Sequence, residues 1–446
     1  MDELWTNLGP EVINISYTGS RSIIHRVIQI DFSSISAFLT GFSTYPQPLR
    51  LRLRIFTIFF LYKHTHPAVR KGELSTIMKL VFDKADLVKS VAIAMKAVSG
   101  KTTMPILQCI LIDASSSQIK FTSNDMELGI ETLVTGMILE RGIVALDAKI
   151  FSEIVRKLPD NQVTIETDEN LVTTITCEKA KFSIPGQSGE DFSYLPILET
   201  SDCVSISQFT LKELIRQTIF SIAANENNKL MTGELFEIKD NTLRVVSLDG
   251  HRIAIRRIEL KDSYPDRKVV VPGKTLNEIS KILSGEMDDQ IDIYFSENHI
   301  MFKFDDTTVV SRLIDGEYFR IDQMLSSDYE TKVTINKKEF LSCIDRATLL
   351  VKEGDKKPII IDIQDGAMEL QINSAMGSMK EEIDINKEGK DIMIGFNPKF
   401  LIDALRVIDD EEISIYLVNP KAPCFIRNEE ESYIYLILPV NFNSVR

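Results

Sequence analysis

The chain has 446 residues and a formal net charge of −14, with 44% apolar and 26% charged residues; this balance excludes a disordered or fibrous chain and calls for two to four globular domains. An acidic whole excludes a general attraction to nucleic acid, so any such contact has to come from a local basic surface. Cys109, Cys177, Cys203, Cys343 and Cys424 are scattered without a Cys-x-x-Cys pair, which excludes a dithiol redox or zinc-ribbon motif and points to reduced thiols in a cytoplasmic protein.

Residues 1–77 differ from the rest. They hold Trp5, the one tryptophan, and three of the five histidines, His25, His64 and His66, with 8 Lys and Arg against 5 Asp and Glu. The stretch LRLRIFTIFFLY (51–62) carries a largely apolar run of eight from Ile55, well short of the roughly 20 residues a membrane helix needs. No small-residue cleavage site follows it, so a signal peptide is not expected. His64 and His66 have no partner cluster, and no metal site is expected. Met78 is read as the true start, with 1–77 a non-native or disordered N-terminal extension.

From there the pattern repeats at about 126 residues. The stretches 83–95, 210–223 and 336–350 read as amphipathic helices capped by Asp83, Thr210 and Asn336. A second helix recurs at 147–158, 272–283 and 397–408, aligning Lys149, Lys274 and Lys399. In the first of these, Ile150, Ile154, Val155 and Leu158 form one apolar stripe; in the second, Leu276, Ile279, Ile282 and Leu283 do so. Between the helices, 120–132, 243–255 and 369–383 each read as two strands around a short turn. GEDF (189–192) recurs as GEYF (316–319). The chain is therefore α+β, an extension followed by three tandem copies, with domains at 78–202, 203–328 and 329–446.

The hairpin VVSLDGHRIAIRR (245–257) holds the residues closest to chemistry. Asp249 and His251 could act as acid and base, with Ser247 on the same strand face as Asp249. No nucleophile elbow, phosphate loop or metal motif accompanies them. Copies one and three carry NDME (124–127) and AMGS (375–378) in this slot. The fold thus needs the turn, which Asp249-Gly250 suits, but does not need His251-Arg252. A hydrolase-like enzyme using the Asp249–His251 hairpin and a repeat scaffold that never meets DNA remain the alternative readings.

MKLVFDKADLVKSV, GKTTMPIL (100–107), LDGHRIA, GFNPKFLIDAL (395–405) and YLILPV carry a resemblance to the β sliding clamps, the processivity subunits of bacterial DNA polymerase III. It covers 78–446. The resemblance implies three copies of a DNA-clamp fold per chain and a head-to-tail ring dimer, with helices lining a pore and antiparallel sheets outside. It implies a non-enzymatic tether that encircles double-stranded DNA without reading sequence and binds the DNA polymerase III catalytic subunit, a clamp loader and other motif-bearing proteins. No cofactor and no membrane partner are implied.

By position, the resemblance carries a peptide groove onto Met231, Leu248, Gly250, His251, Arg252, Ile253, Phe319, Gln323, Met324, Asn397, Phe400, Leu438, Pro439 and Val440. It carries DNA contacts onto Lys101 and Lys229, and the helix lysines Lys149, Lys274 and Lys399 are read as pore-facing. Dimer contacts fall on Phe182, Ile184, Leu349 and Leu350. The chain departs from the family pattern at Gln323 (commonly Arg), at Phe319 (commonly Pro) and in the tail NFNSVR, which is expected to cover part of the groove.

Overall fold

The computed structural model describes residues 78–100, 102–198, 203–224, 228–351 and 357–442; the expectations for 1–77, for Lys101 and for the last residues of the tail fall outside them. Among the described residues, six α-helices come in three pairs: α1 (Lys84–Ala94) with α2 (Ala148–Lys157), α3 (Gln208–Thr218) with α4 (Gly273–Ile282), and α5 (Lys337–Thr348) with α6 (Pro398–Val407). Local chemistry sets their starts. The Asp83 carboxylate accepts from the Ala85 N–H at 2.8 Å, and Asn336 Oδ1 accepts from the Glu339 N–H at 3.1 Å. In copy two the cap is not Thr210. Ser207 Oγ accepts from the Thr210 N–H at 3.0 Å, because the helix starts at Gln208 and Thr210 already lies in its first turn.

The apolar stripe of α2 is also turned relative to the sequence reading. Ala148, Phe151, Ser152 and Val155 face the core, while Ile150 stays 48% exposed. Both sets have helical spacing, and burying the larger phenyl ring removes more apolar surface from water. In α4, Leu276 and Ile279 are buried as expected, and Leu283 caps the stripe.

Each helix pair packs on antiparallel strands to make one core per copy. The copies are joined by strand pairing. Thr307–Arg312 of copy two pairs antiparallel with Leu128–Val134 of copy one, Val309 opposite Ile130. Tyr433–Ile437 of copy three pairs with Arg252–Pro272 of copy two, Tyr435 opposite Ala254. These are the same slot in successive copies. The joins are packed as well: Leu128 and Ile130 of copy one lie in the core of copy two, and Ala254 of copy two lies in that of copy three.

The series leaves two ends. Gly377–Asp384, which fills the slot of Leu128–Val134 in copy three, is the outer strand of a four-stranded sheet. Ala180–Ser188 fills the slot of Thr307–Arg312 in copy one. It pairs with Val172–Cys177 on one side, and on the other, among the described residues, only Gly186–Ser188 find a partner.

Candidate functional site

The hairpin of copy two, where Leu248 stands opposite Ile253, closes through its own side chain. Asp249 Oδ1 accepts from the N–H groups of His251 at 3.0 Å and Arg252 at 3.1 Å, and Gly250 takes φ +86°, which glycine adopts without a Cβ clash. The other carboxylate oxygen accepts from Arg252 Nε at 3.0 Å. Asp249 is thus taken up by the turn and by Arg252, and His251 stacks on Phe400 with ring centroids 6.0 Å apart. Ser247 is fully buried and donates to the Thr218 carbonyl at 2.5 Å. The Ser–Asp–His cluster of the enzyme reading does not assemble, because its three groups face different partners.

Arg252 lies beneath this surface, only 6% exposed. It donates to Asp403 Oδ2 at 2.8 Å and to the Phe220 carbonyl at 2.6 Å. Its guanidinium lies 4.3 Å from the centre of the Phe400 ring and 5.4 Å from that of Phe220, a geometry in which ring faces attract cations. Burial opposes its charge, but Tyr435, Asp403 and Asp249 outweigh burial and hold its pKa above the ordinary value.

Around that post stand the other residues that the sequence reading assigned to a peptide groove. Leu248 and Ile253 are buried with Tyr318, Ile321 and Leu436, and Met231, Phe319 and Leu325 pack on them. Asn397 caps α6, and the Phe400 carbonyl accepts from the Tyr435 hydroxyl at 2.8 Å. The chain end closes the set: Leu438 N–H donates to the His251 carbonyl at 2.9 Å, and Val440 N–H to the Gly395 carbonyl at 2.8 Å. Phe442 then covers Gly395 so closely that a Cβ there would come within 2.7 Å of its ring. His251, Gln323, Met324 and Leu438 are exposed, a mixed polar and Met-containing rim over an apolar bed, as adaptable peptide grooves have. Gln323 and Met324 sit at the turn Ile321–Gln323, and no hydrogen bond or ring contact among the described residues ties them to His251 or Phe400. Sequence reading missed Phe220, Asp403 and Gly395. Gly395 and Asp403 lie within the quoted stretch GFNPKFLIDAL, whose acidic residue was the one signal for a charge partner.

The basic set is less uniform than its alignment. Lys149, Lys274 and Lys399 each stand exposed in the first turn of α2, α4 and α6. Lys274, however, is paired with Asp125 of copy one, whereas Lys149 and Lys399 have no ion pair among the described residues. Lys229 is exposed on the turn Lys229–Thr232. Of the four apolar residues at the two ends of the series, Phe182 is 40% and Leu349 76% exposed, while Ile184 belongs to the core of copy one and Leu350 packs on that of copy three.

Family models of the DNA polymerase III beta subunit match all three copies: the N-terminal domain over residues 78–196, the central domain over 205–319 and the C-terminal domain over 322–441. The beta sliding clamp of Staphylococcus epidermidis is 34% identical over 357 residues, 78% of this chain and 94% of its own length; that of Staphylococcus aureus matches with the same identity and coverage. Among solved structures, a putative DNA polymerase III beta subunit from Eubacterium rectale is 70% identical, with a TM-score of 0.80 over 82% of this chain and 100% of its own. The DNA polymerase sliding clamp from Bacillus subtilis is 35% identical, with a TM-score of 0.79 and the same coverage.

Proposed function

The chain belongs to the family of DNA polymerase III beta subunits, the beta sliding clamps, and from that premise we propose that two copies close head to tail into a ring around duplex DNA. It is a DNA sliding clamp, a processivity factor and not a catalyst, and its partners include DNA and DNA polymerase III. Its three domains are read at 78–202, 203–328 and 329–446. Opening such a ring calls for a clamp loader.

One observation carries the ring. The strand join between copies one and two recurs between two and three, and the same slot is left open on Gly377–Asp384 and Ala180–Ser188. A repeated heterologous contact that closes makes a ring, and closing it covers two sheet edges that would otherwise invite random pairing. Carrying over the two observed registers sets Phe182 opposite Met379 of a second copy and Ser183 opposite its Ser378. Exposed Phe182 and Leu349 support this reading, since each would be covered. Lys149, Lys229 and Lys399, with Lys101, form the DNA-facing charge, which holds phosphates without reading bases.

The groove around His251, Phe400 and Leu438–Val440 is read as the site for short motifs of the polymerase and other clamp users, in the manner of an extended peptide anchored by apolar side chains. The deciding experiment for the ring is retention on nicked circular DNA. Retention there and loss after linearisation is expected; equal retention on both forms refutes encirclement.

A further inference from the structure

The three copies share a core layout, and copy two breaks it in one place. The strand facing the first helix of each copy puts Ile110 opposite Leu146 in copy one and Ile359 opposite Phe396 in copy three, but Glu234 opposite Val271 in copy two. The helix face above it carries Val91 and Ala94 in copy one and Ile344 and Ala347 in copy three. In copy two those positions are Thr218 and Ser221. All of these side chains are buried. Three apolar positions of the shared layout have therefore become polar together, and in one copy only.

The polar groups are not paired off. Both Glu234 carboxyl oxygens, Ser221 Oγ and Gln217 Oε1 are buried without a hydrogen-bond partner. Thr218 is the polar side chain that acts on Glu234, and its hydroxyl already donates to the Leu214 carbonyl at 2.6 Å. Among the described residues no cation neutralises the site. Arg216 of the same helix is taken up by Glu213 and Asp409, the strand partner Val271 is apolar, and α4 presents Leu276 and Ile279. From the segment before the link to copy three, Tyr318 senses the acid, whose charge adds to burial in raising the phenol.

The end of α3 lies between this acid and the groove. The Thr218 carbonyl holds Ser247 of the hairpin strand, and the Phe220 carbonyl holds Arg252 at 2.6 Å. Gln217 reaches the Val407 carbonyl at 3.4 Å and Asp409 at 3.3 Å in copy three.

We propose that Glu234, with Thr218 and Ser221, is a proton-holding site inside the second copy, and that losing this proton loosens the end of α3 and with it the floor of the peptide groove. An ionised carboxylate without a partner is strongly disfavoured in a dry core, so its charge would draw in water or push the helix end away. Burial raises the Glu234 pKa to about 8, with Thr218 pulling the other way, which puts the transition within reach of ordinary buffers.

This rests on the groove reading above, and the test separates the two. A tetramethylrhodamine-labelled peptide carrying the clamp-binding motif of the polymerase catalytic subunit is titrated with the full chain from pH 6.5 to 9.5. The proteins are the wild type, Glu234→Gln, and Glu234→Ile, which restores the residue of the other copies. The wild type should lose affinity at least threefold through about pH 8, and both variants should give flat profiles. A variant profile that superimposes on the wild type overturns the proposal. No peptide binding by the wild type at any pH would refute the groove instead. The acid is then judged on melting temperature, where the gap between Glu234→Gln and wild type must widen up to about pH 8; parallel melting profiles overturn it.

Discussion

Arg252 shows what a single residue contributes here. Its neighbours Asp249 and His251 are close in sequence, but Asp403 lies 151 positions away and Phe220 lies 32 away. Removing one partner of a buried ion pair leaves the other charge unpaired, at a cost of about 3 kcal/mol or more. Arg252→Ala should therefore lower the melting temperature and abolish motif-peptide binding together. His251→Ala, at an exposed position, should weaken binding and leave melting unchanged; calorimetry beside fluorescence anisotropy checks both. Unchanged peptide affinity in His251→Ala would remove the groove assignment. At Glu234 the sign of the pH effect follows from the raised pKa. The folded chain keeps a proton that the unfolded chain releases above its ordinary value of 4.5, so stability falls as pH rises from about 4.5 to about 8 and is level outside that window. Glu234→Gln should flatten that slope in melting curves. Neither feature was fully legible. Asp249-Gly250 announced its turn, but GELFEIKD reads as an ordinary alternating strand, and nothing local says that its first glutamate points inward.

At the scale of elements, helices and hairpins were readable because caps, turn glycines and periodicity act within a few residues. The misplacements were of one kind. Thr210 for Ser207, and Ile150 for Phe151, are choices between adjacent candidates that local spacing cannot separate and core packing does. Strand pairing between copies yields a sharper expectation. If the observed registers carry over to a second copy, a chain with Ser183→Cys and Ser378→Cys should form an intermolecular disulfide on mild oxidation, because directly opposed strand residues lie within disulfide reach. Non-reducing gels should show the crosslink. Ser183→Cys combined with Lys380→Cys should not give it, and equal crosslinking of both pairs would refute the register.

At the scale of the molecule, the net charge of −14 and the proposed DNA-facing surface are compatible because Lys149 and Lys399, which have no ion pair among the described residues, sit at equivalent helix starts. Lys149→Ala with Lys399→Ala should reduce retention on circular DNA and flatten its salt dependence, since a phosphate that no lysine neutralises keeps its counterion. Lys274→Ala should do less, because Asp125 already neutralises that lysine. Half-lives on circular DNA between about 50 and 200 mM salt measure both; an equal effect of Lys274→Ala would show that the Asp125 pair opens on DNA.

The sequence by itself determined the three-copy plan, the class of fold and the resemblance. Each rests on patterns repeated about every 126 residues, so local signals reinforce one another three times over. The tertiary structure decided which members of those patterns work together: Arg252 with Asp403, Lys274 with Asp125, Phe442 with Gly395, and an acid buried in one copy of three. Those pairings join residues far apart in the chain, and their energies come from burial and charge proximity, which exist only once the copies have packed.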